Sequence, residues 1–123
     1  MFSIVTTPDV VVAVGGYDGR GELLEYNGSA WTELTSLIPV AWRGAAASAG
    51  EVYAVGISGA AAHRTAAGWS LLDRPPTQLD FHAAWVDPQG GLWGVGGKFD
   101  TVPLTQEGFL AYYGVATPAE VSP

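Results

Sequence analysis

The sequence contains no cysteine. Disulfides, thiolate zinc sites and a cysteine nucleophile are excluded at once, and the redox compartment is left open. Charge is also scarce. Only 14 % of residues are charged, against twelve acids there are five bases, and the net charge is −7. So few bases cannot make a stripe for phosphates, which argues against nucleic-acid binding. There are two histidines, His63 and His82, far apart in the chain. Without thiolates they do not make a zinc site, so neither a metal nor a cofactor is expected. No apolar run approaches the roughly 18 to 20 residues that a membrane-spanning helix needs. The first residues, MFSIVTTPDVVVAVGG, lack a positive n-region and contain Pro8-Asp9, so they do not read as a signal peptide.

What the chain does have is 48 % hydrophobic residues, 17 glycines and eight prolines. That mixture suits an all-β fold with a core and many turns. The stretch from Val10 to Trp31 sets the pattern. Val10–Val14 is a β-branched strand buried on both faces, which Gly15-Gly16 end. Tyr17–Gly21 is a loop and Glu22–Tyr26 a second strand. Asn27-Gly28 predicts a tight hairpin, because both residues accept positive φ. Trp31–Leu34 is the returning strand. Further strands are predicted at Phe2–Thr6, Trp42–Ser48, Glu51–Val55, Ala60–Thr65, Gly68–Leu72, Phe81–Val86, Leu92–Val95 and Phe109–Tyr113. Helix competes for the alanine-rich pieces, but the flanking glycines favour strand. Lys98–Gly108 is predicted as a long loop.

The pattern repeats. The glycines closing three apolar runs are Gly15, Gly56 and Gly96, 41 and 40 residues apart, after VVVAV, EVYAV and GLWGV. Trp31 and Trp69, 38 apart, open the fourth strands of their units, and Trp42 and Trp85, 43 apart, fall in first strands. A period of about 40 to 50 residues with four short strands per unit marks propeller blades. The units predicted are 2–34, 42–72 and 81–113, with four, four and three strands. They form one domain over 1–114, and 115–123 is a proline-containing tail. The fold class is thus all-β, a partial β-propeller of about three blades with the last incomplete. The tryptophans are read as packing residues between blades.

The first unit carries a resemblance. V-V-A-V-G-G-Y-D-G at 11–19, followed by Tyr26 and Trp31, resembles a kelch repeat. The third unit keeps Gly96-Gly97 and a tyrosine, Tyr112 or Tyr113, without a following Trp. The second keeps Trp69 and loses the second glycine and the tyrosine. The resemblance implies a propeller fold and, most often, a binding or scaffolding role; a minority of the wider fold group are enzymes. Closed propellers have about four to eight blades. The chain is therefore read as part of a larger propeller. A partial ring completed by self-association and an unrelated sandwich are the alternatives.

No catalytic constellation can be picked out. Tyr26 and Leu24 stand where a sialidase-type box needs Asp and Ser, and no cysteine is present for galactose-oxidase-like chemistry. The loops after the central strands place Tyr17, Asp18, Arg20, Arg74, Asp80, Lys98, Phe99 and Asp100 near a common rim. Aromatics with mixed charge suit recognition of a protein, peptide or glycan. The function expected is a non-enzymatic binding or scaffold module. A fragment of a propeller glycosidase or lyase and a structural homo-oligomer are the alternatives. Localisation stays open, with a lean to export where a longer parent carries a leader.

Overall fold

The computed structural model describes residues 1–17, 20–34, 41–73, 77–98 and 107–114. They form three antiparallel sheets. The first holds β1 (Ser3–Thr6), β2 (Val11–Tyr17), β3 (Arg20–Tyr26) and β4 (Trp31–Glu33), in that order. The second holds β5 (Trp42–Ser48), β6 (Glu51–Gly56), β7 (Ala61–Thr65) and β8 (Gly68–Leu71), again in order. The third holds β9 (Asp80–Val86), β10 (Leu92–Lys98) and β11 (Glu107–Tyr113). Each is a meander built from sequential hairpins. The alanine-rich segments are strands, and no helix of the described residues is long and apolar enough to cross a membrane.

Alternation along β6 shows why the sheets stack. Val52 and Ala54 point into a core shared with Val12, Val14 and Leu23 of the first sheet. Tyr53 and Val55 point the other way, into a core shared with Phe81, Val86 and Leu92 of the third. Neighbouring strands obey the same period of two: Ala45 and Ala62 join the first core, Ala46 and Ala61 the second. The second sheet is thus covered on both faces. Each buried Val or Leu contributes about 1.5 to 3 kcal/mol. The stack is tightest at its first strands, where β5 meets β1 and β9. Small residues permit this. The Ser3 hydroxyl accepts a hydrogen bond from the Ala45 N–H across the sheets at 3.1 Å. A Cβ on Gly44 would lie 3.2 Å from the Ala84 nitrogen.

The ladders make the three sheets superposable by register. Val14, Val55 and Val95 lie opposite Leu23, Ala61 and Leu110 respectively. On the first-strand side they lie opposite Ser3, Gly44 and Ala83. Trp31 lies opposite Tyr26 and Trp69 opposite Arg64, so the two tryptophans occupy one position. Trp42 and Trp85 do not: Trp42 pairs with Gly56, whereas Trp85 pairs with Trp93, further down the ladder.

Several boundaries differ from expectation, for physical reasons. β2 and β10 do not stop at their paired glycines but run through them to Tyr17 and Lys98. Gly16 and Gly97 hold positive φ of 143° and 155°, so the ladder continues in a conformation only glycine takes easily. A Cβ on Gly16 would also lie 2.9 Å from Ala41 Cα. Lys98 ends β10, and Glu107-Gly108 begin β11 rather than ending a loop; 99–106 and the tail 115–123 lie outside the described residues. The Asn27-Gly28 hairpin has a four-residue loop rather than a two-residue turn. Only Gly28 takes positive φ, and the Asn27 side-chain oxygen accepts the N–H groups of Ser29 and Ala30. Trp42 and Trp69 pack between sheets as expected, but Trp31 and Trp85 stand exposed because they lie on the outward faces of the first and third sheets.

Leu23 is fully buried between the first two sheets, while Leu71 is exposed. Leu23→Ala should therefore cost about 2 to 5 kcal/mol. Leu71→Ala should cost under about 1 kcal/mol, and urea unfolding of the two variants checks the contrast.

Candidate functional site

Of the rim residues, Asp18, Arg74, Phe99 and Asp100 lie outside the described residues. The other four form two groups at corresponding ends of the first and third sheets. Tyr17 and Arg20 pair across the β2–β3 ladder, both exposed, and Arg20 reaches Glu33 at 3.7 Å. Asp80 pairs with Gly97 beside Lys98. Its carboxylate accepts the Ser58 N–H at 2.8 Å, fastening the turn after β6 to the start of β9. That bond gives Asp80 a structural task. His82 is exposed, and its ring nitrogen lies 3.2 Å from the Gly97 carbonyl oxygen.

A cleft of about 480 Å³ lies at the opposite end, between the second and third sheets. It is walled by Glu51, Tyr53 and His63 on one side and by Tyr113 and the Gln89–Gly91 turn on the other. The tight Ala49-Gly50 turn, both residues at positive φ, starts β6 at Glu51. Strand alternation then puts Glu51 and Tyr53 on the face toward the third sheet. His63 sits opposite Tyr53 in the β6–β7 ladder, and the two rings stack at 4.4 Å. The Glu51 carboxylate pairs with His63 Nε2. Tyr113 meets Tyr53 edge to face at 6.5 Å. Burial, then the Glu51 charge, pushes the Tyr53 hydroxyl up from its ordinary pKa, so it stays a neutral donor.

The turn is held by Asp87. Its Oδ1 accepts the N–H groups of Gln89 and Gly91, each at 2.9 Å, and its Oδ2 accepts Trp93 Nε1–H at 3.1 Å. The Gly91 N–H, aided by Trp93, Gln89 and Gly90, holds the Asp87 carboxyl below the usual carboxylate range despite desolvation. This is an Asx-type turn whose bonds are charge-assisted.

At the corresponding place between the first two sheets Trp69 forms a wall of a smaller cleft, of about 340 Å³. There Trp69, opposite Arg64, lays its indole against the first sheet and donates Nε1–H to Glu25. Arg64 Nε donates to the same oxygen at 2.7 Å. In the first sheet Trp31 likewise stands opposite Tyr26, ring to ring at 5.3 Å. Tyr113 occupies the position of Tyr26 and Arg64, and His63 that of Glu25. Among the described residues, no strand runs beside the outer edge of β11 and no tryptophan stands opposite Tyr113. The cleft is the unfilled tryptophan position.

The missing tryptophan after Tyr112-Tyr113 is visible in the sequence, and it locates the cleft once the register is known. The rim residues that are described lie at the other end of the sheets. Among the described residues, no three of His, Asp and Glu converge in a way that could hold a metal ion. Comparison of the chain with protein families, with curated proteins and with solved structures found no match.

Asp87 stabilises the fold while ionised. Its depressed folded-state pKa makes that contribution full above the unfolded value of about 3.9, and lost as pH falls through the lower folded value. Asp87→Asn should therefore lower Tm at neutral pH. The gap from the unsubstituted protein should close on acidification below about pH 4; a Tm series against pH measures it.

Proposed function

We propose that this chain is a non-catalytic recognition module on a kelch-like, β-propeller-type stack, a part of a larger propeller assembly. Its third sheet takes an extended peptide as a fourth strand and seats an aromatic side chain in the cleft. One observation carries this reading: the cleft stands where Trp69 stands between the preceding pair of sheets.

The chemistry fits such a guest. An added strand gains main-chain hydrogen bonds from the open edge of β11, and alternate side chains supply specificity. A residue opposite Tyr113 enters between Tyr53 and Tyr113 as Trp69 enters against the first sheet. An indole ring buries about 150 to 250 Å² of surface and has one N–H to satisfy. Glu51, paired with His63, stands in the cleft as an acceptor, as Glu25 does for Trp69. The net charge of −7 favours a neutral or basic segment over an acidic one.

The test is calorimetry with an end-blocked peptide of about seven residues, Thr and Val alternating around a central Trp with a basic flank. Binding is expected, and the same peptide with Ala for Trp should bind at least roughly tenfold more weakly, about 1.4 kcal/mol. Tyr113→Ala should lose a similar amount. Equal affinity for the two peptides, no binding by either, or a neutral oligosaccharide binding the cleft in their place would sink the reading.

A further inference from the structure

Among the described residues two apolar sheet faces are left open, and they are the two halves of an interface the chain already makes twice. Call the face that the first sheet turns to the second its front, and the face the second turns to the first its back. Front meets back between sheets one and two, and again between sheets two and three. The front of the third sheet and the back of the first face outward.

The equivalence holds residue by residue. Val14 and Val55, on covered fronts, are 0 % exposed, whereas Val95 at the same position is 45 % exposed. Leu23 on the covered front of the first sheet is 0 % exposed, and its counterpart Leu110 is 62 %. Trp85 and Trp93 extend this front. On the backs, Ala45 and Trp69 of the second sheet pack in the core, while their counterparts Ile4 and Trp31 are 64 % and 52 % exposed. Both open faces carry large apolar side chains where monomeric domains place polar ones.

We infer that a second copy of the chain covers these faces, the front of its third sheet packing on the back of the other copy's first sheet. The occupant follows from continuity with the internal interface. A front of this kind is matched to a back of this kind, and one chain offers one of each. Such a head-to-tail contact is heterologous and closes when the rotation returns to its start. Two copies supply six sheets, within the range of about four to eight that closes a propeller. The internal contacts also name the pair that should meet. Ser3 on a front touches Ala45 on a back, and Gly44 on a front abuts Ala84 on a back. The next pair in this series is Ala83 on the open front with Ile4 of the second copy. The inference rests on sheet register alone and is independent of the peptide reading.

The absence of cysteine makes the test clean. Light scattering on the purified chain should give twice the chain mass of 12.8 kDa. The double variant Ile4→Cys with Ala83→Cys should form an interchain disulfide under mild oxidation. Mixed single variants should cross-link to each other, and neither to itself. Leu110→Lys and Ile4→Lys, both at exposed positions and so compatible with folding, should each give monomers, at least roughly a tenfold loss in association. Mixing those two should restore a heterodimer through the one intact front and the one intact back. A chain monomeric at high concentration overturns the inference, and so does burial of both faces only when a longer coding sequence supplies further sheets. Ala83→Cys cross-linking to itself, or a dimer that survives Ile4→Lys, also overturns it by showing front-to-front contact.

Discussion

Everything in this molecule depends on β6 being apolar on both sides. A strand that carries Val52 and Ala54 on one face and Tyr53 and Val55 on the other cannot sit at a surface. It must have a sheet above and a sheet below, or expose one set to water. The chain meets that demand by stacking its hairpin meanders, so the second sheet is buried twice over. The cost passes outward. The first and third sheets follow the same repeat, so each presents one covered and one uncovered apolar face. The open faces are a necessary product of the repeat, not an accident of a particular surface.

The same constraint bears on where clefts open between the sheets. Gly44, Ala45 and Ala46 on β5 are small, and they let the first strands of neighbouring sheets come close. Twisted sheets pinned together at one edge splay at the other. Contacts between the sheets are concentrated at the first and second strands. Between sheets one and two, Trp69 of the fourth strand is tied to Glu25 beside Arg64. Between sheets two and three lies the cleft of Tyr53, His63 and Tyr113. The cleft follows from the packing of the sheets, and its walls are aromatic and polar.

Much of the architecture was legible in the sequence. Glycines at Gly15, Gly56 and Gly96 recur because each holds the same position within the second strand of its sheet, and Trp31 and Trp69 recur because they share one ladder position. The four, four and three strands follow from that spacing. What misled was local chemistry without register. Trp42 and Trp85 lie near the period by coincidence of spacing, and the ladders put them at different heights. Paired glycines looked like strand ends, although positive φ at Gly16 and Gly97 lets the strand pass through. Asp80, read from the sequence as a rim carboxylate, accepts the Ser58 N–H, a contact that no local pattern announces. A single sequence shows which residues recur; it does not show which recurrences face each other across a gap.

That distinction bears on the third unit. Its departures from the repeat fall on one side of the sheet. The strands β9 to β11 keep the apolar residues that face the second sheet, including Phe81, Val86 and Leu92. They also keep an apolar front in Trp85, Val95 and Leu110, with no covering sheet among the described residues. Had this unit ended a self-contained stack, its outward positions would carry charge, as terminal repeats of solenoid-like proteins do. Instead valine and leucine occupy positions that are buried in the preceding sheets, and tryptophan stands beside them. The side that has diverged is the outer edge, where Tyr113 stands without its tryptophan. A unit that retains its stacking faces while its outer edge lacks the tryptophan of the preceding sheets remains a building block of the stack, and among the described residues a cleft stands beside that edge.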